Sequence, residues 1–248
     1  MGTEWWQTFF SGVVLDMWQQ AIPPEYTKVE ADFISHLLRL PDGARILDAP
    51  CGEGRIAREL AAKGYQIVGA DLAEEFLAAA RAAAKQRNLT MEFELADVRS
   101  LSFQGDFDGA VCWGNSFGYF DDAGNAAMLR SLAQALKPGG RLVLDASSNA
   151  ESRLPSFQQH EWSKIGDFLF LEENEYDHAQ GRMITHYTFI RDGKEETRTG
   201  SHRFYTYREI SKMLEEVGFA HVESYASLSK EPFKLGANQL LVEAIKAS

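Results

Sequence analysis

A chain of 248 residues with 45% hydrophobic residues is long enough for one large globular domain, or a domain carrying an insertion. Its 25 Lys and Arg against 36 Asp and Glu leave a formal net charge of −11 with no Lys/Arg run, which disfavours a nucleic-acid substrate because phosphate neutralisation needs a basic face. No stretch approaches the roughly 18 consecutive apolar residues of a membrane-spanning helix, so no membrane association is expected. Met1 to Phe10 has no basic n-region and does not read as a signal peptide. The two cysteines, Cys51 and Cys112, cannot build a disulfide framework, and a reducing cytoplasmic location is the simple inference.

In chain order, the aromatics Trp5, Trp6, Phe9, Phe10, Trp18 and Tyr26 are too many for an exposed tail. They either staple a helix onto a sheet or close over a ligand cleft. Helical signals follow at Glu30 to Leu40, Arg55 to Lys63, Glu74 to Arg87 and Asn125 to Leu136. They alternate with apolar strands near 45–48, 66–70, 91–95, 108–113 and 141–146. Such alternation predicts a parallel sheet with helices on both faces, an α/β fold whose ligands bind outside the carboxyl ends of the strands. After Ser147 the pattern changes to strand-like segments at Phe168 to Leu171, Arg182 to Ile190 and Glu195 to Tyr205, joined by Gly181 and Asp192-Gly193. This reads as an antiparallel insertion of about three strands. A helix over Tyr207 to Val217, stopped by Gly218, and strands near 220–227 and 238–245 then return to the main sheet.

The most informative segment is Ile46-Leu47-Asp48-Ala49-Pro50-Cys51-Gly52-Glu53-Gly54, a strand running into an acid and a glycine turn. Missing Cβ atoms at Gly52 and Gly54 let a ligand lie against the backbone, and the following helix N-terminus offers free N–H groups. Asp48 to Gly54 resembles motif I of the class I S-adenosylmethionine-dependent methyltransferases, which commonly reads Asp-x-Gly-x-Gly-x-Gly; Pro50 stands where the family often has its first glycine. The likeness runs to a bacterial branch of that family over most of the chain and is loose in the insertion. Gly52-Glu53-Gly54-Arg55-Ile56-Ala57 also satisfies the G-x-G-x-x-A of a nicotinamide site, so an oxidoreductase is the rival. Asp48 before the turn, Asp97 after the strand 91–95, and Leu136-Lys137-Pro138-Gly139-Gly140 leading into Arg141 to Leu144 favour the methyltransferase.

The resemblance implies a Rossmann-like, doubly wound, mostly parallel seven-stranded sheet with the antiparallel insertion after its fifth strand, and S-adenosylmethionine as cofactor. Its expected contacts are Asp48, Ala49, Pro50, Gly52 and Gly54 in the turn, Asp71 and Leu72 at the ribose, Asp97 and Val98 at the adenine, and Cys112 and Trp113 at the methionine end. Asp71 alternatively caps the next helix, and Asp97 is alternatively a plain turn residue. A carboxylate suits a ribose diol because it accepts two hydrogen bonds. Asn115 and Tyr119, within the branch-like Ser116-Phe117-Gly118-Tyr119-Phe120, are candidates for orienting an acceptor, with core packing as the alternative. Tyr26 or Thr27 is the candidate N-terminal contact to the methionine end.

The expected organisation is a helical cap and cofactor core over 1–147, a lid or acceptor wall over 148–206, and a return to the core over 207–248. No metal site is expected, and no histidine is assigned a catalytic role: His178, His186 and His202 in the insertion read as surface strand residues. The expected activity is methyl transfer to a small molecule bearing an N or O nucleophile. RNA or protein methylation and a non-catalytic cofactor-binding protein are the other readings.

Overall fold

The computed structural model describes residues 4–247. Met1 to Thr3 and Ser248, which belong to the expected segments 1–147 and 207–248 and, for the first three, to the stretch read as no signal peptide, lie outside the described residues. Three helices come first, α1 (Trp6–Phe9), α2 (Val13–Ala21) and α3 (Pro24–Leu38). The last starts six residues earlier than the sequence signal, because Pro24 sits in its first turn, where a missing N–H costs nothing. Then β1 (Arg45–Asp48), α4 (Arg55–Ala62), β2 (Gln66–Asp71), α5 (Glu74–Gln86), β3 (Glu92–Leu95), β4 (Phe107–Cys112), α6 (Asp122–Ala135) and β5 (Leu136–Asp145) alternate as expected. Helix α6 begins at Asp122 because Asp121 caps it, accepting the Gly124 N–H at 2.7 Å.

After β5 come α7 (Ala150–Arg153) and four strands, β6 (His160–Ile165), β7 (Phe168–Asp177), β8 (Arg182–Arg191) and β9 (Lys194–Arg203). The expected three-stranded insertion is therefore a four-stranded antiparallel sheet in sequential order. The missed strand is β6, an edge whose residues are mostly exposed, Trp162 at 73%. Without a buried face it carries no apolar alternation to read. The chain closes with α8 (Tyr207–Glu216), β10 (Phe219–Tyr225) and β11 (Leu241–Lys246). Helix α8 opens with a capping box between Thr206 and Glu209.

The main sheet has the order β10-β11-β5-β4-β1-β2-β3, parallel except at β11, which runs antiparallel to both β5 and β10. Side chains alternate between its faces. Leu47, Ala110 and Leu142 pack with α6 and α8, whereas Ile46, Val111 and Val143 pack with α3 and α4. Strand order reverses between β1 and β4, so the loops that follow them diverge and leave a crevice at their carboxyl ends. A third cluster joins Phe9, Val13, Val14 and Met17 to Phe168, Phe170 and Phe189. The N-terminal helices thus fill the space between the insertion sheet and the crevice.

Candidate active site

The turn after β1 is held from several sides. The Ala49 N–H donates to the Val111 carbonyl and the Cys51 N–H to that of Ala70, both at 2.9 Å. Gly54 has φ +75°, and a Cβ there would lie 3.1 Å from the Ala80 Cβ, so glycine lets α4 and α5 approach behind the turn. Asp71, at the end of β2, accepts the Gly52 N–H at 2.7 Å through one carboxylate oxygen and the Ala73 N–H at 2.9 Å through the other. Asp71 thus anchors the glycine turn and the residue that precedes α5, while no side chain caps α5 itself.

A cavity opens over this turn. Asp48, Pro50, Gly52, Asp71, Leu72, Asp97, Val98 and Trp113 border it, eight of the residues named from sequence. Ala49, Gly54 and Cys112 do not. Ala49 and Cys112 are fully buried in the core on the far side of their backbone, and Gly54 faces α5. Of the N-terminal residues, aromatics expected either to staple a helix or to close over the cleft do reach the cavity, and the pair expected at the methionine end does not. Trp6, Phe10, Trp18 and Ile22 reach the cavity, whereas Tyr26 points outward at 43% exposure and Thr27 lies beneath Arg55, 3.4 Å from its guanidinium.

Two polar residues missed in the sequence support the floor. Glu30, on α3 and 5% exposed, pairs with Arg55 of α4 and accepts the Trp113 indole N–H at 2.8 Å. Only the generic helical pattern marked Glu30, since its partners lie far away in sequence. Burial drives the Asp48 carboxyl up to about 7 against the opposing pull of Arg55, and its Oδ2 has no hydrogen-bond partner. Burial likewise raises Asp71, partly offset by its backbone N–H donors. At Asp97 burial acts upward, but hydrogen bonds from Arg99 outweigh it and hold the carboxyl below its ordinary range. Arg99 also pairs with Glu4 at 3.1 Å and lies over the Phe120 ring at 4.5 Å, tying the N-terminal helix to the cavity rim.

A second cavity lies beneath the insertion sheet and meets the first at Phe10, Trp18, Gly114 and Tyr119. Asn115 and Tyr119 both border it. Asn115 is also structural: its N–H donates to Asp145 at 3.1 Å and its Oδ1 accepts the Ser148 N–H at 2.8 Å. The loop that carries Tyr119 is fixed by the buried Asn125, which accepts from Gly118 and donates to the Phe120 carbonyl. Arg182 of β8 donates to the Tyr119 and Phe120 carbonyls at 3.1 and 2.8 Å. His202 of β9, read from sequence as a surface residue, instead faces this cavity, with its ring centroid 4.6 Å from that of Tyr119. Its partners come from the loop after β4, which strand patterning alone does not reveal.

The strand reversal, the glycine turn and an acid at the end of the next strand define an α/β protein with a nucleotide-type cofactor site. Residues 46–140 match the family model described as a methyltransferase domain. A glycine/sarcosine N-methyltransferase of Halorhodospira halochloris is 27% identical over 224 residues, 85% of this chain and 79% of that protein. A ubiquinone biosynthesis O-methyltransferase of Xanthomonas oryzae pv. oryzae (strain PXO99A) is 33% identical over 118 residues, 47% of this chain and 48% of that one. In fold, the structure of the CcbJ methyltransferase from Streptomyces caelestis superposes with a TM-score of 0.82 at 17% identity, covering 98% of this chain and 99% of that one. Residues 46–140 thus carry a methyltransferase domain of the S-adenosylmethionine-dependent class, a family that uses S-adenosylmethionine as its methyl donor. The first cavity fits that cofactor: the unpartnered Asp48 Oδ2, the remaining lone pairs of Asp71 and a wall of aromatic rings suit its polar ends and its base. Among the described residues no helix is long and apolar enough to cross a membrane.

Proposed function

We propose that this enzyme methylates a small molecule at an N or O nucleophile, with the cofactor in the first cavity and the acceptor in the second. The observation that carries this reading is the junction of the two cavities at Gly114 and Tyr119, where groups held on either side come together. The second cavity is closed in by residues 148–206 and the N-terminal helices, which suits a compact molecule better than a polymer. The net charge of −11 supports the same choice over RNA. Relatives with names specifying both N- and O-methyl transfer leave the acceptor atom open between those two. Two unpaired cysteines, both buried, accord with a cytoplasmic setting.

In this reading Asp71 takes the ribose hydroxyls, Asp97 and the Val98 N–H take the adenine edge, and Gly52 admits the cofactor against the backbone. Asp48 and Trp113 stand at the methionine end. When bound, S-adenosylmethionine supplies a methyl group on a positively charged sulfur. The protein's part is alignment and exclusion of water. Trp6, Phe10, Trp18 and Phe76 shield the first cavity, and Tyr119, fixed by Arg182 and Asn125, forms the wall at the junction. The segments 1–147 and 207–248 act as the cofactor-binding core and 148–206 as the acceptor wall. Pooled metabolites incubated with methyl-labelled S-adenosylmethionine test the proposal: label in a small molecule supports it, and label confined to tRNA, rRNA or protein defeats it.

A further inference from the structure

Resting on that reading of the second cavity, we propose that His202 is the catalytic residue that takes the acceptor's proton, through a ring Nδ1 left free beside the junction of the two cavities. Its Nε2 lies 3.3 Å from the Asn115 carbonyl. A carbonyl only accepts, so Nε2 carries the hydrogen and a neutral ring must present Nδ1 as a lone pair. Among the described residues Nδ1 has no hydrogen-bond partner. The ring is fixed by Tyr119 at 4.6 Å and Trp5 at 5.9 Å between centroids; Tyr119 borders both cavities, and Trp5, just before α1, borders the second.

Neutrality of the ring is secured by its surroundings. Burial lowers the His202 pKa to about 4, against the Asn115 hydrogen bond and with Arg182 and Arg153 adding repulsion. The other ionisable groups around this space are Glu161 of β6, Glu172 of β7, Tyr187 of β8 and Tyr119. An imidazole of this kind cannot deprotonate an aliphatic ammonium, but it accepts a proton whose acidity rises as a bond forms at the atom bearing it. The inference therefore narrows the acceptor to a hydroxyl or a weakly basic N–H. A lone pair of that oxygen or nitrogen forms the bond to the methyl carbon, the carbon–sulfur bond breaks with its electron pair on sulfur, and the acceptor's proton passes to Nδ1 and then to water.

The test uses the full chain, methyl-labelled S-adenosylmethionine and a panel of catechols, hydroxybenzoates and N-heteroaromatics, with glycine and sarcosine as aliphatic amines. Methylation within the first groups is expected. His202→Gln retains an amide able to donate toward Asn115, and should lower kcat about 100-fold or more while KM changes little. Its kcat should recover as pH approaches the acceptor's own pKa, whereas the wild-type rate is flat above about pH 5. A variant within threefold of wild type, a loss equal at every pH, or methylation of only the aliphatic amines overturns the proposal. Histidine 15N NMR of the free enzyme decides independently of any acceptor: an Nε2–H tautomer supports the assignment and an Nδ1–H tautomer overturns it. Calorimetry separates the two levels, since wild type that fails to bind S-adenosylmethionine sinks the underlying reading, and binding intact in His202→Gln confines any failure to this residue.

Discussion

The Trp113 indole donates a 2.8 Å hydrogen bond to Glu30, linking the end of β4 to a helix 83 residues earlier in the chain. Glu30 holds the Arg55 guanidinium as well, so one buried carboxylate fixes both a wall residue and the first residue of α4. Glu30→Ala leaves the Arg55 charge without its partner and should cost about 3–5 kcal/mol of stability. Trp113→Phe removes one donor and should cost about 1–3 kcal/mol, the penalty for an unmet buried acceptor. Urea unfolding of the two variants checks the order; a Trp113→Phe loss exceeding that of Glu30→Ala would contradict it.

Asp71 bonds the Gly52 and Ala73 N–H groups at once, so its removal affects both turn and cofactor. Asp71→Ala should weaken S-adenosylmethionine binding by about 1–3 kcal/mol, through an unpartnered ribose diol and a loosened turn. Calorimetry gives the answer directly, and unchanged affinity would remove Asp71 from the cofactor site.

The buried Asp48 makes stability depend on pH in a definite direction. In the unfolded chain it loses its proton near pH 4, whereas in the fold it keeps it to about 7. Across that window the native state binds more protons, so this residue's contribution is full below about pH 4 and falls as pH rises toward 7. The loss is at most about 4 kcal/mol. Asp48→Asn should flatten the slope between pH 4 and 7 in denaturant titrations of the cofactor-free protein. A slope identical to wild type would mean that Asp48 ionises normally.

The N-terminal helices supply Trp6, Phe10, Trp18 and Ile22 to the first cavity and bury Phe9, Val13 and Met17 against the insertion. Each buried ring contributes about 1.5–3 kcal/mol of transfer free energy. A protein lacking residues 1–20 should therefore bind S-adenosylmethionine at least about tenfold more weakly, a change of 1.4 kcal/mol. A truncated protein that remains folded and binds with full affinity would leave this segment a packing role alone.

The sequence by itself determined the alternating architecture, the glycine turn and eight of the residues that border the first cavity. Those features depend on local rules: apolar runs of strand length, helical periodicity, and glycines where φ is positive. Asp48, Asp71, Asp97 and Trp113 were legible because strand ends share one edge of a parallel sheet. That rule locates a loop without saying which way each side chain turns, which is why Ala49, Gly54 and Cys112 fall behind the wall. Tertiary structure alone decided the fourth insertion strand, the exclusion of Tyr26 and Thr27 from the first cavity, the Glu30–Arg55–Trp113 network and the inward placement of His202. Each depends on contacts between segments tens of residues apart, set by how the insertion sheet and the N-terminal helices dock, and no local period encodes that docking.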